Sequence, residues 1–219
     1  MHLKFLIGSS IFLFLFAAVP AFALEDGDFQ LWNTEVIEAK LNDSFKVKVE
    51  EELRFGEDVS ILYYRHTDGG VTWKVTDGLD LGVNYRQLYE KKKNKWKEEN
   101  RPHINGTVKR EWLGFKFKDR NRFEYRIKKG GDDTTRYRNK ATVLFPLKWT
   151  KLDIQPYVAD EIFVDFEGEK LNRNRLYAGF NAKLFKHFKT DIFYLWQTTK
   201  KNSKWINYNI LSLKLKLVL

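Results

Sequence analysis

The chain has 219 residues, with 39 lysines and arginines against 29 acidic side chains, and it contains no cysteine. The missing cysteines exclude a disulfide framework, a thiolate metal site and lipid attachment through sulfur. A mean hydropathy of −0.52 does not exclude a membrane, because a membrane barrel turns half of every strand toward water.

Residues 1–23 read as a secretory leader: Lys4, an apolar run from Phe5 to Val19, and Ala21-Phe22-Ala23 as a small-x-small cleavage site. That run is shorter than the ~20 residues a spanning helix needs. Cleavage after Ala23 leaves one domain, residues 24–219, with 38 basic and 29 acidic side chains, a formal charge of +9. Aromatic content of 16% and only four prolines favour extended strands.

Along the chain, Phe29 to Leu41 alternates and ends at Asn42-Asp43-Ser44. Phe45 to Phe55 follows with Phe45, Val47, Val49, Leu53 and Phe55 on one face; Glu51 lands among them, which predicts a bulge or a strand rim. Ser60 to His66 and Val71 to Thr76 flank Thr67-Asp68-Gly69-Gly70, readable as a hairpin turn or as a kink in one long strand. Leu79 to Glu90 is a clear amphipathic run. Lys91 to Asn100 (KKKNKWKEEN) carries so much charge that it predicts a long exposed loop, better explained by solvation than by nucleic acid. Arg101 to Lys118 resumes the strand pattern.

The strongest pattern is Arg122 to Phe145. Phe123, Tyr125 and Ile127 share one face against Arg122, Glu124 and Arg126. After a Gly130-Gly131-Asp132-Asp133 turn, Tyr137, Ala141, Val143 and Phe145 oppose Arg136, Arg138 and Lys140. A sheet greasy on one face and densely charged on the other predicts an antiparallel transmembrane β-barrel with a lipid face and a wet face. Four more runs follow, the last placing Leu211, Leu213, Leu215, Leu217 and Leu219 on one face. Reading Asp68-Gly69 as a turn gives twelve strands. Reading it as a kink gives eleven, with the first segment outside a ten-stranded wall, because single-chain bacterial barrels normally carry even numbers.

The runs Leu81 to Arg86, Arg120 to Arg126, Arg136 to Lys140, Pro156 to Phe163 and Asn172 to Gly179 resemble, in order, the motifs of an uncharacterised outer-membrane β-barrel family, domain of unknown function 2490. The resemblance implies a Gram-negative outer-membrane location and a barrel, and it carries over no catalytic residue.

The candidate lumen-lining residues are Arg86, Arg122, Glu124, Arg126, Arg136, Arg138, Lys140, Glu161, Arg173 and Arg175. They fit either an anion-selecting constriction or a plug of ion pairs filling a narrow barrel. The histidine His66 with Asp68 and Asp80 is the one cluster that could gather near a rim as a hydrolase-like arrangement. No metal-ligand spacing, phosphate-cradling glycine loop or other cofactor motif is present in the sequence. Tyr63, Tyr64, Trp73, Trp112, Trp149, Tyr194, Trp196 and Trp205 are candidates for aromatic girdles.

The expectation is an outer-membrane barrel, not an enzyme, that is either a structural or surface element or a narrow pore with a basic lumen. Its partners would be outer-membrane lipids, the barrel assembly machinery and small anionic solutes, and not nucleic acid. The alternatives are a periplasmic lipocalin-like binding barrel and a barrel-embedded hydrolase.

Overall fold

The computed structural model describes residues 24–93, 95–167, 171–201 and 203–219; the leader expected at residues 1–23 lies outside them. Eleven strands follow one another with short connections: β1 (Phe29–Lys40), β2 (Phe45–Gly56), β3 (Ile61–Thr76), β4 (Leu79–Lys92), β5 (Lys95–Trp112), β6 (Phe115–Lys128), β7 (Thr134–Leu144), β8 (Gln155–Asp165), β9 (Leu171–Lys183), β10 (Phe188–Lys201) and β11 (Lys204–Val218). Each pairs antiparallel with its neighbour in sequence, and β1 pairs with β11 to close the barrel. Closure satisfies the backbone groups that an open edge would leave bare.

Among the described residues the strands number neither twelve nor ten but eleven. The count is odd because β3 runs unbroken through Asp68-Gly69-Gly70, hydrogen-bonded to β2 (Val49↔Gly69, Lys48↔Gly70) and to β4 (Gly69↔Tyr85, Gly70↔Asn84). Gly70 is required by a close approach rather than by a turn. A Cβ there would fall 2.2 Å from Asn84 Nδ2 and 2.6 Å from the Val83 carbonyl oxygen. The first segment is also part of the wall. With eleven alternating strands the first and last run the same way, so β1 and β11 meet in parallel, from Phe29↔Asn209 to Glu38↔Val218.

The expected loop at Lys91 to Asn100 is instead the end of β4, to Lys92, and the start of β5, from Lys95. Its charges fit a strand because they alternate: Glu99 and Arg101 are buried, and Glu98 and Asn100 beside them are only partly so. Glu51 produces no bulge. The β1–β2–β3 ladder passes straight through Glu35↔Glu51↔Thr67, and the register shift comes later, between Arg54 and Phe55.

Strand alternation sorts side chains into two surfaces. Facing out are Val83, Tyr85, Ile104, Phe123, Tyr125, Val158, Phe180, Ile192, Leu213 and their neighbours, all exposed. Facing in are an apolar cluster of Trp32, Leu144, Tyr157, Ala159, Tyr177, Leu195, Tyr208 and Ile210 and, over the rest of the interior, buried charges.

Candidate functional site

The interior charges form linked ion pairs rather than a row of free cations. Glu124 on β6, 1% exposed, accepts from Arg136 Nη2 at 2.6 Å and Arg138 Nη1 at 2.7 Å, with Arg122 Nη1 at 3.4 Å. Strand pairing explains the first contact, since Glu124 and Arg136 are direct cross-strand partners. The same pairing sets Arg122 beside Arg138, a like-charge pair that would repel without the carboxylate between them. Arg138 Nη2 reaches on to Glu161 Oε1 at 2.7 Å, and Glu161 also accepts from Arg120 Nη2 at 2.9 Å and from the Tyr177 hydroxyl at 2.7 Å. Arg175 stands 3.6 Å from Glu161.

A second knot lies on β2, β3 and β4. Asp68, fully buried, accepts from Arg86 Nε at 2.9 Å and Asn84 Nδ2 at 2.9 Å. Glu50 accepts from Lys214 Nζ at 2.9 Å and Lys48 Nζ at 3.2 Å. Nearer one mouth, Glu99 accepts from Arg126 Nε at 2.7 Å, and Asp165 stands 3.5 Å from Arg126 and 3.8 Å from Arg136.

All ten residues singled out in the sequence face inward. Arg86, Arg122, Glu124, Arg136, Arg138, Glu161 and Arg175 are buried, while Arg126, Lys140 and Arg173 are partly buried. Lys140 Nζ lies over the Tyr177 ring at 3.5 Å. The expected inventory was short of carboxylates, since Glu50, Glu52, Asp68, Glu99 and Asp165 also point in. Most could have been found by parity: Glu50 and Glu52 alternate with the outward Val49 and Leu53. Glu99 was hidden by the reading of its segment as a loop.

Phe163 was also missed. Its ring, 1% exposed, is faced by Arg136, Arg138, Arg173 and Arg175, with guanidinium carbons 5.4, 4.5, 5.4 and 4.7 Å from its centroid. Cations over an aromatic face gain from the ring quadrupole where water is excluded. The sequence signal was its place two residues after Glu161 on one strand.

The hydrolase-like cluster is not assembled. His66 Nε2 lies 3.3 Å from Glu50 and Nδ1 lies 3.6 Å from Glu52; Asp68 is taken by Arg86, and Asp80 by Lys109 Nζ at 2.7 Å. Among the described residues no group of three or more His, Asp or Glu side chains is placed to hold a metal ion.

On the outer wall Trp73, Trp112, Trp149, Tyr194, Trp196 and Trp205 are exposed as girdle residues would be, but Tyr63 and Tyr64 are both buried inside. The register shift opposite them, where Arg54 pairs Tyr64 and Phe55 pairs Leu62, passes over Tyr63 in the β2–β3 register and turns both rings inward. The wall's polar exceptions bond to one another: Thr67 to Glu51, Asn121 and Asn139 to Asp119, Tyr137 to Asn121, and Asn174 to Asp160.

A family described as protein of unknown function (DUF2490) matches residues 29–208, from the start of β1 into β11. The chain belongs to that family. The match covers β1 to β10 and the first five residues of β11. No curated protein matches the chain.

Proposed function

We propose that the protein is an outer-membrane β-barrel of a Gram-negative cell that serves as a structural or surface element, with an interior closed by ion pairs, and that it is not an enzyme. The observation carrying this reading is the inversion of the two surfaces. Charges are packed inside, and large apolar side chains such as Val83, Ile104, Phe123 and Ile192 cover the outside. A soluble lipocalin-like barrel needs the reverse, because water would penalise such an apolar wall and a ligand cavity would be apolar. Outer-membrane lipids would meet the wall, and the barrel assembly machinery would insert it after removal of the leader. The closed interior is supported by the sharing of each central carboxylate among several cations, which neutralises the arginines that could otherwise draw small anions through.

Cell fractionation tests the location, and a planar bilayer tests the interior. Extraction only by detergent, with no steady conductance, is expected. Recovery in the soluble periplasmic fraction would overturn the membrane reading, and a stable anion-selective current would replace the closed interior with a narrow pore.

A further inference from the structure

One end of the barrel, where β4, β6, β8 and β10 finish, holds a cavity of about 390 Å³. Eight of its fourteen lining residues are lysine or arginine and two are acidic. Asp165 Oδ2 is engaged by Arg126 and Asn172, its Oδ1 stands 3.8 Å from Arg136 with no hydrogen-bond partner among the described residues, and Glu90 pairs with Lys92 at 3.2 Å. Arg173 is held by neither carboxylate within ion-pair distance. Its Nε is buried and has no hydrogen-bond partner among the described residues, while its guanidinium faces the Phe163 ring. A buried donor without an acceptor is costly, so the unpartnered Nε of Arg173 in a cationic cavity marks a place for an acceptor brought from outside.

We propose that this mouth is a binding site for a phosphate-bearing ligand of sugar size, with Arg173 as the central donor. A planar guanidinium presents paired N–H groups that match two oxygens of one phosphate. Lys92, Lys93 and Lys201 at the strand ends supply attraction without demanding one geometry. The volume falls within the range of small-molecule pockets rather than that of a lone ion, and Leu24 and Tyr63 add an apolar wall for the rest of the ligand. The site does not depend on whether the interior beyond it conducts. The same chemistry could be met by a soluble sugar phosphate or by the headgroup of a phosphorylated lipid.

The full mature barrel in neutral detergent micelles is titrated calorimetrically with glucose 6-phosphate, glucose, short-chain phosphatidic acid and short-chain phosphatidylcholine. Binding of glucose 6-phosphate but not glucose is expected, with Arg173→Gln weakening it about tenfold, the scale of one charge-assisted hydrogen bond. Lys116→Gln, at the other mouth, should bind as the wild type does. Tighter binding of phosphatidic acid than of the sugar phosphate, with phosphatidylcholine silent, assigns the site to a lipid headgroup; the opposite order assigns it to a soluble ligand. Equal binding of glucose and glucose 6-phosphate, unchanged affinity in a folded Arg173→Gln, or equal weakening by Lys116→Gln overturns the proposal. If Arg173→Gln does not fold, the rim pair Lys93→Gln with Lys201→Gln decides: weaker binding supports the site, and unchanged binding overturns it.

Discussion

Arg138 joins two carboxylates on different strands, its Nη1 at 2.7 Å from Glu124 and its Nη2 at 2.7 Å from Glu161. Removing the shared cation takes a partner from two buried carboxylates at once, while removing cation and acid together leaves only one carboxylate, Glu124, short of a partner. Breaking a buried pair typically costs about 3–5 kcal/mol, far more than the net value of the pair. Arg138→Gln is therefore expected to lower stability by about that amount, and Arg138→Gln with Glu161→Gln by less than the sum of the two single changes. Urea unfolding in micelles, followed by tryptophan fluorescence, measures all three. Additive losses would mean that Arg138 and Glu161 are not energetically coupled.

The glycines of β3 make a paired test. At Gly69 a Cβ meets nothing within 4 Å, whereas at Gly70 it would overlap Asn84, which holds Asp68. Gly69→Ala is expected to be neutral or mildly stabilising, and Gly70→Ala to cost about 1–3 kcal/mol through overpacking. Equal effects in the same unfolding assay would contradict the continuous strand.

Val83, 67% exposed, lies on the outer wall of β4. If lipid covers it, Val83→Arg should lose about 2–4 kcal/mol of stability in vesicles, the cost of a cation facing the bilayer midplane. Lys148→Asp, in the connection between β7 and β8, should assemble normally. A folded, fully stable Val83→Arg barrel would argue for water on that wall.

Glu35 and Glu51 are direct cross-strand partners on the same outer face. Like charges opposed in a sheet repel, and lipid sharpens the penalty. Glu35→Leu with Glu51→Leu should raise stability in vesicles by about 1 kcal/mol or more. Aggregation of this variant as a water-soluble protein, without gain in lipid, would be the opposite outcome.

The sequence disclosed β6 and β7 almost completely because both faces there are extreme, with Phe123 and Tyr125 against Arg122 and Glu124. It disclosed β3 poorly. Asp68-Gly69-Gly70 has the composition of a turn, and what keeps it extended is its pairing with β2 and β4, with Asn84 of the next strand in the space a Cβ on Gly70 would fill. That fact belongs to the pairing and not to the local segment. Glu99 was obscured for a related reason: its charge looked like solvent exposure until Arg101 and Arg126 were seen beside it. The ten candidate residues were legible from alternation alone, and so was an ion-pair plug around Glu124 and Glu161; the further carboxylates Glu50, Asp68 and Glu99 lie on strands outside that inventory.

The parallel seam between β1 and β11 constrains how this chain can be rearranged. In an even meander the two ends emerge on the same side, so a short linker can join them and new ends can be cut elsewhere. Here Phe29 opens β1 at one mouth and Val218 finishes β11 at the other. A linker joining them must travel the length of a 12-residue strand, roughly 40 Å at ~3.3 Å per residue, along the wall or through a filled interior. Circular permutation should therefore fail in this barrel, and tags on its two ends should report from opposite faces of whatever it spans.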